Sequence, residues 1–320
     1  MKRLLALALV PALALFAACG STHGSDFSGG NGAGGNGDSD GGTVGGDGGA
    51  LSGTDGGTGG TSPTDAPGEV FGHSDSTLYK LDPTTNIVTK IGDFSCIDEI
   101  CGGSGMWDIA LDKDGNMYGS LDVQDCSGGG SEHGSLVKID KTNATCTIVK
   151  ASGGTLPNSL SFVPAGTIDP TNEVLVGYDG ADYKRIDPAT GNATKIGSLN
   201  PNSTGSDWYS SGDIVSIIAG KTYLTATTDS SGSGGSSDSI LEVDPVTGKA
   251  LTVIGTVGAG KIWGLGFWGG TAYGFDAAGQ LLSIDLTTGA GTPIPLTSSF
   301  GALSFYGAGN TTAAPLTPPR

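Results

Sequence analysis

Positive charge is scarce in this chain. Its 320 residues carry 15 Lys and Arg against 32 Asp and Glu, a formal net charge of −17. A nucleic-acid partner needs basic side chains to replace the counterions on its phosphates, so that class is excluded. An anionic membrane surface would likewise repel the folded part. Histidine is rarer still, at His23, His73 and His133, and no HxxxH or CxxC spacing occurs. That removes the common zinc motifs, so neither metal nor cofactor is expected, and His73 and His133 read as exposed loop residues. After Phe16 no apolar run is long enough for a transmembrane helix.

What the ends contain is specific. Lys2 and Arg3 precede an apolar run, Leu4 to Phe16, and then Ala17, Ala18 and Cys19. The run is too short to span a bilayer and suits the core of a signal peptide, here 1–18. Phe16-Ala17-Ala18-Cys19 resembles a bacterial lipobox. The resemblance implies lipidation of Cys19, and Gly20 rather than Asp after it implies outer-membrane sorting, on a side left open. Secretion with ordinary cleavage nearby is the competing reading. Residues 19–67 are mostly Gly, Ser, Thr, Asn and Asp. Such a segment cannot bury enough surface to offset its ordering entropy, and reads as a disordered tether with a reach of roughly 35–40 Å. The chain would then meet the membrane through lipid alone, as a monomer.

The rest repeats itself. Five segments align: YKLDPTTN, VKIDKTNA, KRIDPATGN, LEVDPVTGK and LSIDLTTGA, with shared aspartates Asp82, Asp140, Asp187, Asp244 and Asp285. In each, a strand enters a turn. Asp can accept from backbone N–H groups two residues on, Pro presets φ, and Gly takes the left-handed position. A second hairpin precedes four of the segments: WDIALDKDGNMYGS, SLSFVPAGTIDPTNEVLVG, DIVSIIAGKTYLT and WGLGFWGGTAYGF. Each unit is therefore four strands, A to D, at about 107–150, 158–197, 212–256 and 263–295. A fifth unit is split. Residues 69–92 supply strands B, C and D, and GALSFY at 301–306 supplies the missing strand A. The expected fold is an all-β, five-bladed β-propeller over 68–308, closed by 301–306 pairing with 69–72, with 309–320 a disordered tail. The repeats resemble the broad WD, NHL and YVTN-like propeller superfamily, a resemblance that implies no particular activity. A β-sandwich would leave the phased repeat unexplained.

Propeller topology puts D-to-A and B-to-C connections on one face. The long ones, 95–106, 198–211, 122–134 and 227–238, all fall there. The start of each strand A opens onto the same face with Asp108, Ser159, Asp213, Gly264 and Ala302. Trp107 and Trp263 precede two of these positions, and Trp208 and Tyr209 lie in a neighbouring loop. Aromatic faces beside carboxylates suit a sugar, so Trp107, Asp108, Ser159, Trp208, Tyr209, Asp213 and Trp263 form the candidate ligand site. In the competing reading, Asp108 and Asp213 bond strand-end N–H groups and the tryptophans pack between blades. Two functions follow. One is a non-catalytic binding or scaffold protein of the cell envelope, with a glycan or protein ligand. The other is a hydrolase of carbohydrate or lactone that uses Asp108 and Asp213 as its carboxylate pair. DKDGN at 112–116 opens like a calcium loop but lacks the distal Glu, and reads as a hairpin turn.

Export favours disulfides among Cys96, Cys101, Cys126 and Cys146, for which three pairings exist. The expected set is 96–101 with 126–146. Cys126 bonded into the 95–106 loop is the competitor.

Overall fold

A computed structural model describes residues 68–97, 105–122, 134–150, 155–202, 207–218, 220–232, 235–298 and 301–319. The signal segment, the tether, Cys101, Cys126 and His133 lie outside them. Five antiparallel blades form a β-propeller. Blade 1 holds β1 (Val70–His73), β2 (Thr77–Asp82) and β3 (Ile87–Asp93). Blade 2 holds β4 (Met106–Leu111), β5 (Met117–Leu121), β6 (Ser135–Ile139) and β7 (Cys146–Lys150). Blade 3 holds β8 (Ser161–Val163), β9 (Val174–Asp179), β10 (Asp182–Ile186) and β11 (Ala193–Ser198). Blade 4 holds β12 (Tyr209–Ser216), β13 (Thr222–Thr227), β14 (Ser239–Val243) and β15 (Ala250–Thr256). Blade 5 holds β16 (Ile262–Trp268), β17 (Thr271–Asp276), β18 (Leu281–Ile284) and β19 (Gly291–Ile294). After blade 5 the chain returns to blade 1. There β20 (Thr297–Ser298) adds in parallel to the outer edge of β3, and β21 (Gly307–Asn310) adds to the inner edge of β1.

The ring is closed by the C-terminal strand, but with different residues from those expected. Val70 pairs with Asn310 and His73 with Gly307. Residues 301–306 form no strand. ALSF copies the apolar pattern of the other inner strands, yet Phe305 is a fully buried plug against Phe275, with ring centroids 5.0 Å apart. The closing strand is small because the channel leaves no space. A Cβ on Gly309 would lie 2.8 Å from the Ile109 carbonyl oxygen. Nor is 309–320 a free tail. Thr311, Thr312 and Ala314 are buried, and Gly269 N donates to Pro315 O at 2.8 Å.

The repeated segment has two jobs. The first is the turn. The five aspartates accept from Thr84, Thr142, Ala189, Val246 and Thr287 N at 2.7–2.9 Å. Four residues after each Asp comes the left-handed residue: Asn86, Ala144, Gly191, Gly248 and Gly289. The second job is stacking one blade on the next. The glycine ending three of the segments lies against the following blade's turn. A Cβ on Gly92, Gly197 or Gly255 would come within 2.7, 1.7 or 2.0 Å of the carbonyl oxygen of Asn143, Thr247 or Thr288. Only glycine permits that approach.

Inner strands are joined side chain to backbone. Leu160 N donates to Asp108 Oδ2 at 2.5 Å, Ser216 N to Ser161 Oγ at 3.1 Å, Leu265 N to Asp213 Oδ2 at 2.7 Å and Phe267 N to Asn310 Oδ1 at 2.9 Å. Short polar side chains thus satisfy inner-edge N–H groups that no strand reaches. Apolar clusters fill the spaces between neighbouring blades, such as Tyr178, Tyr183, Leu224 and Leu241 between blades 3 and 4. The disulfide is Cys96–Cys146, with Cα atoms 5.3 Å apart, which corrects both the 96–101 and the 126–146 pairing. The same inter-blade stacking explains it: Ser95 N donates to Ala144 O, and Cys146 N to Ser95 Oγ, so the end of blade 1 is already docked on the turn of blade 2.

Candidate functional site

Strand A of three blades begins with a bulge, and the bulges make the site. In β4 the ladder runs from Met106↔Leu121 to Asp108↔Ser120 and skips Trp107. In β16 it runs from Ile262↔Asp276 to Gly264↔Phe275 and skips Trp263. In β12 it passes from Ser210 to Ile214, skipping Ser211, Gly212 and Asp213. A bulged residue is re-aimed out of the pleat. Here the result is a cavity of about 500 Å³ bordered by Trp107, Trp263, Ser211 and Gly212.

Tyr306 completes the aromatic side, its ring 5.1 Å from that of Trp263 and 40% exposed. Asn158, the Asp179–Gly180 turn, Ser210 and the 230–232 loop supply the remaining wall. Every one of these residues belongs to a strand A start, a D-to-A connection or a B-to-C connection. Among the described residues no Lys, Arg or His lines the cavity. The Asp179 carboxylate at the rim is held by Lys184 Nζ at 2.7 Å.

The seven sequence candidates separate. Trp107 and Trp263 line the cavity; Asp108, Ser159, Trp208, Tyr209 and Asp213 do not. Ser159 is buried, accepting from Tyr178 N at 2.9 Å. Trp208 packs beside the Tyr178 cluster while Asn200 holds its backbone on both sides, and Tyr209 opens β12, opposite Thr227. Tyr306, Asn158, Ser210 and Ser211 were missed. Only the fact that strand A starts share one face could have pointed to Ser210 and Ser211, and the 301–306 strand assignment hid Tyr306.

Asp108 and Asp213 sit in the channel with no solvent exposure. Asp213 accepts from Ile214 N at 2.6 Å and from Leu265 N at 2.7 Å. The two carboxyl groups are near enough for each to shift the other's titration, and Asp108 Oδ1 has no hydrogen-bond partner. Burial raises Asp213 to about 8, and burial together with the Asp213 charge raises Asp108 well above the ordinary range.

His73 corrects its reading as an exposed loop residue. It is fully buried because β1 borders the channel against Gly307. Its Nδ1 donates to Ser74 O at 2.8 Å, and its Nε2 lies 3.8 Å from Asp108 Oδ1. Burial lowers its pKa to about 4, so the ring is neutral. Asp112 of DKDGN closes its own turn, accepting from Asp114 N at 3.0 Å and Asn116 N at 2.8 Å.

The sequence matches no family model and no curated protein. Among solved structures it is similar to a protein of unknown function from Bacteroides caccae, at 9% identity over 77% of this chain and 99% of that one, TM-score 0.38. It is similar to exo-β-1,3-galactanase from Phanerochaete chrysosporium, at 12% identity over 71% and 62%, TM-score 0.43. It is also similar to the Dos1 propeller, at 12% identity over 73% and 56%, TM-score 0.34. The match thus spans less than two thirds of the galactanase and Dos1 chains. Likeness at this level concerns the fold alone.

One more carboxyl group is buried at the start of β16. Asp238 is fully buried, with Oδ2 accepting from Ile262 N at 2.7 Å. The Ser211 hydroxyl beside it favours the ionised form, but burial wins and raises Asp238 to about 6. At neutral pH it is a carboxylate and can only accept.

Proposed function

We propose that this propeller is a non-catalytic binding protein of the bacterial cell envelope, tethered by lipid at Cys19, that holds a glycan at the mouth where strand A begins. One observation carries the reading: the bulges at Trp107 and Trp263 present two indole rings, with Tyr306, to a cavity whose other walls are hydroxyl and amide groups and the Asp179 carboxylate. Aromatic faces stack on the C–H face of a sugar, and hydroxyls exchange hydrogen bonds with its rim. The hydrolase alternative is disfavoured by the placement of its two carboxylates. Asp108 and Asp213 lie outside the cavity lining, bonded to backbone amides.

An array of bacterial and plant oligosaccharides and peptidoglycan fragments tests the ligand class. Wild-type protein should bind a subset, and Trp263→Ala should lose it. Turnover of any bound glycan would revive the hydrolase. The anchor is tested by palmitate labelling in cells: incorporation should vanish in Cys19→Ser, and labelling that survives the substitution would refute the lipid site.

A further inference from the structure

The mouth passes from open to closed within one residue in every blade. Trp107, Asn158, Gly212 and Trp263 line the cavity from blades 2 to 5, and Tyr306 lines it from the segment that closes blade 1. The residue after each of them, Asp108, Ser159, Asp213, Gly264 and Gly307, is buried. Those five form a floor. A Cβ on Gly264 would lie 2.7 Å from the Gly307 carbonyl carbon, and one on Gly307 would strike His73 and Asp108. β12 of blade 4 even meets β21 of blade 1, although blade 5 stands between them in the ring. At the far end of the channel Thr311 bridges Leu111, and Thr312 and Ala314 are buried. The cavity is therefore a blind pit walled by all five blades.

The wall has two halves. Blades 5, 1 and 2 are neighbours and supply the rings of Trp263, Tyr306 and Trp107. Blades 3 and 4 supply Asn158, serines and one carboxylate, Asp179. Asp179 stands at the tight turn between β9 and β10, and Gly180 O accepts from Ser210 N at 2.9 Å, which docks that turn on blade 4. Its Oδ2 is taken by Lys184 Nζ at 2.7 Å, and the same ammonium is tied back to Thr155 O at 2.9 Å. The Asp179 side chain is 41% exposed, so Oδ1 faces the cavity as a fixed, charged acceptor.

Resting on the glycan reading above, we infer that the mouth is a chain-end site: it takes the terminal sugar of a glycan, with the sugar's C–H face on the aromatic half and one of its hydroxyls donated to Asp179 Oδ1. A glycan bound along its length needs a way in and a way out, and a pit walled by every blade gives it only one opening. The cavity of about 500 Å³ has the size of a small-molecule site, roughly 300–1,000 Å³, and holds the end of a chain rather than a stretch of it. Stacking on the rings tolerates many sugars. The hydrogen bond to a carboxylate is stronger than one between neutral groups and fixes which way the terminal ring lies.

The test is calorimetric titration of the full mature chain with soluble amylose, xylan, β-1,3-glucan and β-1,4-galactan, each intact and after partial acid hydrolysis, which multiplies chain ends at constant mass. A polysaccharide that the wild type binds should half-saturate it at a lower mass concentration after hydrolysis, in proportion to the ends gained. Asp179→Ala should weaken that binding about ten- to hundredfold, the loss typical of a hydrogen bond to a charged group. Asp179→Asn, which keeps the acceptor and loses the charge, should lose less. Thermal melts of both variants separate lost binding from lost folding. If hydrolysis leaves the half-saturating mass unchanged or raises it, while Trp263→Ala abolishes binding, the chain-end inference is wrong and the glycan reading stands. Binding unchanged in both Asp179 variants also overturns the inference. Binding to none of the four, intact or hydrolysed, overturns both.

Discussion

The carboxyl groups of Asp108 and Asp213, from blades 2 and 4, are neighbours in the central channel with neither exposed to solvent. Their burial keeps a proton on the pair at neutral pH and makes stability depend on pH with a predictable sign. Asp213 is raised from 3.8 to about 8, so its contribution is full below 3.8 and is lost as pH rises through 8. His73 is lowered from 6.5 to about 4, so its contribution is full above 6.5 and is lost as pH falls through 4. Between those two values the slopes oppose. From about pH 6.5 to 8 the carboxyl pair acts alone, at up to about 1.4 kcal/mol per pH unit. Thermal melts should show Tm falling by about 4–8 °C across that window, for about 2 kcal/mol lost. Asp213→Asn, which keeps an acceptor but cannot ionise, should flatten the curve. An unchanged slope in that variant would place the titration elsewhere.

Asp213→Ala should behave differently from Asn. It leaves the N–H groups of Ile214 and Leu265 without their acceptor, at about 1–3 kcal/mol for each buried group. Chemical denaturation should find it among the least stable single variants. A stability within about 1 kcal/mol of wild type would mean that the channel bonds are dispensable.

The turn of blade 4 offers a paired test. Gly248 has φ +67°, and a Cβ there would lie 2.3 Å from the Tyr183 ring. That ring is held in place, with Tyr183 Oη donating to Pro245 O at 2.8 Å. Gly248→Ala should therefore cost roughly 2–4 kcal/mol, adding left-handed strain to overpacking. At the equivalent position of blade 1, Asn86 already has φ +56°, and Asn86→Gly should stabilise by up to about 0.5–1 kcal/mol. Urea titration of both variants checks the opposite signs.

Closure predicts a sharp boundary for truncation. Removing 307–320 deletes β21 and strips the partner from Val70–His73. Cooperative melting should be lost. Removing only 317–320 should shift Tm by less than about 2 °C. A truncation at 306 that still melts cooperatively would contradict the closing role. Reduction of Cys96–Cys146, separated by 50 residues, should cost about 4 kcal/mol on the chain-entropy account, read as a drop in denaturation midpoint with reductant.

Much of this was legible in the sequence because it repeats. The Asp–backbone turn recurs five times, so blade number, strand order and the return of the C-terminus to blade 1 followed from spacing alone. The closing strand itself was illegible. Gly307-Ala308-Gly309 has no strand composition, and it is selected by lack of room beside His73, Asp108 and Ile109. The disulfide was hidden for a similar reason: Cys96 and Cys146 meet through inter-blade stacking, which sequence distance does not reveal. At the mouth, Trp107 and Trp263 stood out by residue type. Ser211 did not, since a serine in a Ser-rich chain signals nothing until a bulge gives it a place. His73 looked like a loop residue because the channel is a tertiary feature.

The account stands most directly on where a ligand sits. Protein labelled with 5-fluorotryptophan would give a ¹⁹F NMR signal for each of the chain's four tryptophans. The Trp107 and Trp263 signals would be assigned by single Trp→Phe variants and titrated with whichever oligosaccharide binds on the array. Both signals should shift with ligand, while those of Trp208 and Trp268, which lie outside the cavity lining, stay in place. Binding that leaves the Trp107 and Trp263 signals unmoved would contradict the account.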